Sequence, residues 1–166
     1  MSAAVVVLWG LAGLLGVLAY ARPGDLHVRG FKIARDHVVQ VFPRLVLALL
    51  TAGFVAQIVP NELVAGWLGA GSGMWGILIA SAAGGIVPGG PVVVYPIAVV
   101  LLESGVGTPQ LVAFLTGWSV FAVHRVIVFE VPLIGWRFSV LRFLASLPLP
   151  VAAGFSAGLV LAAFSA

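Results

Sequence analysis

The chain has 166 residues, 62% of them apolar and 8% charged, and a mean hydropathy of +1.22. A water-soluble domain carries about 25% charged and 45–50% apolar residues, so this composition excludes a soluble globule. Eight basic and five acidic side chains leave a net charge of +3, and the lack of cysteine excludes disulfides, thiolate metal sites and cysteine nucleophiles.

In so apolar a chain, basic residues mark cytoplasmic loops and not a nucleic-acid surface. The expected fold is an all-α integral membrane protein whose first partner is the lipid bilayer. Six apolar stretches are predicted, at about 2–20, 38–60, 73–87, 92–102, 109–131 and 145–166, within a single membrane domain over 1–166. A helix rises about 1.5 Å per residue and must cross about 30 Å of hydrocarbon, so about 20 residues are needed. Four stretches reach that length.

The first stretch ends at Ala19-Tyr20-Ala21, which has the small-x-small form of a signal-peptide cleavage site. No Lys or Arg precedes it, and it exceeds the usual h-region of about 7–15 residues. It reads as a retained transmembrane helix. Arg22, Arg29, Lys32 and Arg35 follow in a basic cytoplasmic loop over 21–37. The second stretch is interrupted by Arg44, just after Pro43, and by Gln57. Arg44 is placed to reach the headgroups along its stem, and Gln57 to bond a neighbouring helix.

The third and fourth stretches, about 22 and 17 Å long as helices, are too short to cross comfortably. They are separated by Pro88-Gly89-Gly90-Pro91. Proline lacks the donor that continues a helix, and glycine adopts backbone angles closed to other residues. The pair therefore predicts a broken, re-entrant helical hairpin. In a bilayer, unwound backbone survives only where it is buried in protein or lines a wet cavity, which is how many secondary transporters build binding sites. Pro96 opens a second gap by withholding a donor from the Val92 carbonyl, and Tyr95 beside it carries a hydroxyl that reaches a ligand.

The fifth stretch carries His124, Arg125 and Glu130. Ionisable groups inside a membrane segment cost about 2.5–3.5 kcal/mol each on insertion scales, so each calls for a partner or a function. Arg125 and Glu130, five residues apart, point about 140° from each other on an ordinary helix and are not expected to pair. His124 reads as snorkelling to the cytoplasmic interface marked by Trp136 and Arg137. The last stretch has no charge and contains Gly154-x-x-x-Gly158, a small-residue face like that of Ala12 and Gly16, suited to close helix approach within or between subunits.

Positive charge sets the topology. If the hairpin returns to the side it entered, the loop over 21–37 and the cluster Arg125, Arg137 and Arg142 share the cytoplasmic side. Glu62 and Glu103, with no basic neighbours, then lie outside, as do both termini. The candidate substrate-binding residues are Pro88, Gly89, Gly90, Pro91, Tyr95, Pro96, Arg125 and Glu130; no catalytic residue, metal ligand or cofactor is predicted. Gly71-Ser72-Gly73-Met74-Trp75-Gly76 fits the dinucleotide-binding glycine pattern, but no predicted strand precedes it and no acidic residue follows at the required distance. No His-Glu-x-x-His motif or intramembrane aspartate pair supplies an enzyme's machinery, so the chain is not expected to be an enzyme.

Several segments in order carry a resemblance: Val59-Pro60-Asn61-Glu62, Trp67-Leu68-Gly69, Gly84-Gly85-Ile86-Val87 leading into Pro88-Gly89-Gly90-Pro91, and Tyr95-Pro96-Ile97. Leu102-Glu103-Ser104-Gly105, Ala113-Phe114-Leu115, Trp118, Arg125, Glu130-Val131-Pro132-Leu133-Ile134-Gly135, Arg137-Phe138 and Arg142 continue it. In these the chain resembles a family of predicted permeases that includes the organoarsenical and metal efflux permeases. Members linked to arsenicals or metals often carry cysteine where this chain has Gly89-Gly90, so transport by thiolate relay is not carried over. Fuller members are about twice as long and built as two related halves, with the site between them. The resemblance therefore implies a half-size permease subunit that pairs with a second copy or a related half and passes a small solute or ion. The plasma membrane, of bacterial inner-membrane type, is its expected place. The alternative is a non-transporting scaffold or accessory subunit of a larger complex.

Overall fold

The computed structural model describes residues 3–58 and 60–165; residues 1, 2, 59 and 166, including the Val59 of the resemblance, lie outside them. Ten α-helical segments are present among the described residues, with one isolated antiparallel bridge, Gly69–Val106, and no strand. Four stretches are long and apolar enough to cross a membrane: Ala3–Ala21, Leu26–Phe54, Thr108–Ile134 and Trp136–Phe164. Two shorter apolar helical stretches, Ala70–Ile86 and Pro91–Glu103, are not. The expected four long helices and two short ones are therefore present.

The chain divides into two compact units, Met1–Arg44 and Leu45–Ala166. The first holds α1, Ala3–Ala21, and the start of α2, Leu26–Ile58. The expected loop over 21–37 is largely helix. Only Arg22–Asp25 is non-helical, and Arg29, Lys32 and Arg35 lie on α2. Hydropathy reports where an apolar run ends, whereas a helix continues through any residues that tolerate it. Neither Arg44 nor Gln57 has a side-chain hydrogen bond or ion pair among the described residues, and both are exposed.

In the second unit, α3 (Asn61–Leu68) leads through a 3-10 turn (Ala70–Ser72) to α4, Gly73–Ile86. After the break come α5, Pro91–Glu103, and α6, Thr108–Phe121. A succession of short pieces follows: α7 (Val123–Arg125), a π-turn (Val126–Glu130) and α8 (Val131–Ile134). Then α9 spans Trp136–Ser146 and α10 Pro148–Ser165.

The core is a seam of small residues. Buried positions on α6 are Gln110, Ala113, Phe114, Gly117 and Phe121, one stripe at three- and four-residue spacing, and on α4 they include Ile77, Ala80, Ser81, Gly84 and Gly85. A Cβ on Gly84 would collide with the Phe114 carbonyl, and one on Gly117 with that of Ser81, so the two helices meet backbone to backbone. Position along one helix tracks position along the other: Ala70 lies by Gly107, Ser81 by Gly117 and Gly85 by Phe121. The helices α4 and α6 are therefore parallel. Helix α10 runs against them, its Gly154 seated on Pro109, Ala113 and Ile77 and its Gly158 on Pro109. The Gly154–Gly158 face thus serves packing within the chain, whereas no atom approaches the Cβ position of Gly16 within 4 Å. Large apolar side chains point outward instead, with Trp75 76%, Leu133 80% and Phe164 89% exposed.

The hairpin returns to its starting end: the Gly107 N–H donates to the Leu68 carbonyl at 2.9 Å beside the Gly69–Val106 bridge. Its limbs are splayed. Helix α4 packs on α6 and α10, whereas α5 packs chiefly on α6.

Candidate functional site

Both α4 and α6 have 14 residues, start at the Leu68–Gly107 link and run in parallel, so their far ends lie at the same level, about 21 Å away at 1.5 Å per residue. Each ends there in a break. Val87 turns extended (φ −61°, ψ 118°), as the residue before Pro88 must, and α5 restarts with Pro91 in its first turn. On α6 the break is Ala122, at φ 21° and ψ 68°, which splits the expected 109–131 helix in two. No proline or glycine marks it. A buried non-glycine residue there is strained backbone held by its surroundings.

The two breaks are tied together at Gly89. Its carbonyl accepts a hydrogen bond from the Trp118 indole Nε1–H at 3.1 Å, and its N–H donates to His124 Nε2 at 3.4 Å, at the long end of the range. The Trp118 ring also lies 6.3 Å from that of Tyr95, tilted by 60°. His124 therefore does not snorkel free. The Ala122 break turns it onto the hairpin apex, a long-range contact that linear spacing did not show.

Arg125 and Glu130 do not pair, as expected, and each has another partner. Glu130 Oε2 accepts from Arg142 Nε at 2.8 Å, with side chains 20% and 29% exposed. A second Arg142 donor, Nη1, reaches the Val120 carbonyl at 3.2 Å, and Arg125 Nη2 donates to the Ser119 carbonyl. The last-turn carbonyls of a helix have no partner within it and carry partial negative charge. Two guanidiniums satisfy two of them here, those of Ser119 and Val120, which lets α6 stop without glycine. Sequence reasoning placed Arg142 among the loop charges; its reach back by 22 residues to Val120 left no local signal.

The remaining predicted residues surround the apex. Pro88, Gly90, Pro91 and Tyr95 are exposed, and Gly89 and Pro96 half-buried. Gly89 has φ +106° and a Cβ there would lie 3.2 Å from Val93, whereas Gly90 has φ −91° and open space. A groove of about 640 Å³ runs beside the break, between Leu45, Leu49 and Ala52 of α2 and Pro91, Tyr95 and Pro96 of α5. Its lining is apolar apart from the Tyr95 hydroxyl and backbone. At the opposite end of α6, Gln110 is 1% exposed; its Nε2 donates to Ser72 Oγ at 3.0 Å and its Oε1 has no hydrogen-bond partner among the described residues. The reading of the sequence missed this residue, whose only signal was an amide within an apolar run. No cluster of metal-ligating side chains occurs among the described residues.

Comparison of the chain with family models, curated proteins and solved structures finds no match.

Proposed function

We propose that the chain is a half-size permease subunit of the plasma membrane, working as a dimer or with a related half, that passes a small solute or ion. One observation carries this reading: two helix breaks stand at one level and are joined through Gly89 by Trp118 and His124. Backbone freed from helical bonding is costly in hydrocarbon unless it lines a cavity, and transporters place such breaks at the substrate path. Arg125, Arg142 and Glu130 then fix the end of α6, and the surface offered to cargo is the apex with Tyr95. Alternating access moves α5 and the 123–134 segment around the α4–α6 pair. The resemblance to the permease family points the same way, and the half length asks for a second copy.

The apolar lining of the groove favours a second reading, in which a partner protein's helix fills it and the chain is an accessory subunit. Native mass spectrometry of protein released from lipid nanodiscs separates the two. A dimer retaining a small molecule supports the permease; a ligand-free monomer, or a fixed complex with a different protein, sinks it. A Gly90→Trp variant that inserts normally should then lose the retained molecule, because position 90 is open and its backbone ordinary.

A further inference from the structure

Gly89 is held by two groups of different chemistry. The Trp118 indole N–H is a donor at any pH. An imidazole nitrogen accepts only while it carries no proton, so His124 Nε2 can take the Gly89 N–H only in the neutral ring with its proton on Nδ1. Nδ1 is buried without a hydrogen-bond partner among the described residues. Neutral His124 therefore holds the apex through one long bond, at the cost of an unsatisfied donor on its other side.

Protonation puts a hydrogen on Nε2, facing the Gly89 N–H. Two donors then oppose each other, and the ring must leave. No other charged side chain is placed to prevent this. Helices α4, α6 and α10 carry no titratable side chain. On the segment after Ala122, Arg125 is engaged by the Ser119 carbonyl and Glu130 by Arg142. On α9 the charges are Arg142 and Arg137; on α5 the one charge is Glu103 at the far end of the helix, and Tyr95 carries a neutral hydroxyl.

We propose that His124 is a proton-operated latch on the hairpin apex: neutral, it joins the two breaks through Gly89; charged, it frees the Pro88–Pro91 segment. The sign follows from the acceptor role. The latch is closed while the ring is neutral and opens when Nε2 takes a proton, so acidification can only loosen it. As a step in transport this rests on the permease reading; as chemistry of the apex it does not.

The full-length protein in nanodiscs tests it. In a His27→Gln/His37→Gln background His124 is the sole histidine, and its ring nitrogens are read by 15N NMR. Alkaline spectra should show Nδ1 protonated and Nε2 bare, and acidification should protonate Nε2 while the Gly89 amide shifts with the same midpoint. Because the chain has no cysteine, a nitroxide on Gly90→Cys reports on the apex alone. Its mobility should rise on acidification, and the response should vanish in His124→Gln, whose Oε1 accepts from Gly89 at every pH. A protonated Nε2 at alkaline pH, or an equal pH response in His124→Gln, overturns the latch. A ligand-free monomer in native mass spectrometry would instead remove the permease and leave the latch standing.

Discussion

Gly89 and Gly90 are neighbours in a glycine pair, yet only one of them needs to be glycine. At φ +106° a side chain strains the backbone of Gly89, and its Cβ meets Val93 at 3.2 Å; Gly90 has neither obstacle. Strain of this kind costs about 1–3 kcal/mol. Gly89→Ala should lower unfolding stability by that amount, and Gly90→Ala by less than about 0.5 kcal/mol, the usual size of a benign exposed change. Thermal unfolding of the two variants in the same detergent measures the difference; equal losses would show that the apex does not depend on the Gly89 conformation. The break itself was readable because proline and glycine act on their own backbone. Which glycine bears the positive φ was not, since that depends on how the apex sits against Trp118 and His124.

Among helices, the contrast between the two breaks is instructive. Helix α4 ends where local chemistry ends it, at Val87-Pro88. Helix α6 ends at Ala122, in a stretch with no breaking residue, because Arg125 and Arg142 take the carbonyls of Ser119 and Val120. No pattern in Phe121-Ala122-Val123 announces that, so an unbroken helix was the expectation. The basic stretch over 21–37 was misread for the opposite reason, since charge marks the end of an apolar run and not of a helix. The Glu130–Arg142 pair can be weighed by a double-mutant cycle. Arg142→Leu alone strands a half-buried carboxylate and the Val120 carbonyl and should cost about 2–4 kcal/mol. Glu130→Leu/Arg142→Leu should be more stable than the sum of the single losses, with a coupling of about 1–2 kcal/mol. Strict additivity in denaturant unfolding would mean that Arg142 works through Val120 alone.

For the molecule entire, composition foretold helices, because backbone polar groups in so apolar a chain must be satisfied internally, and the Pro88–Pro91 break with the placement of the basic residues foretold a return of the short limbs to one end. The splayed hairpin was not foreseeable. It follows from α6 packing closely on α4 through Gly84 and Gly117 and leaving α5 to one side. In the proposed membrane setting the charges give a definite topology. Single cysteines at Glu62 and Glu103 should react with an impermeant maleimide in intact cells, and those at Lys32 and Arg137 only after permeabilisation. The reverse pattern, or a split between Lys32 and Arg137, would invert or remove the re-entrant arrangement.

The backbone contact between α4 and α6 has a mechanical consequence. Two helices that touch through glycine and carbonyl are geared: sliding one along the other brings a side chain where only a hydrogen atom fits. The Gly84–Phe114 and Gly117–Ser81 contacts therefore fix the register of the pair, and α10 locks it from behind through Gly154. Such a pair is a chassis. In the proposed permease the working stroke falls to what hangs from its two broken ends, α5 on one side and the 123–134 segment on the other, with Gly89 as the pin between them.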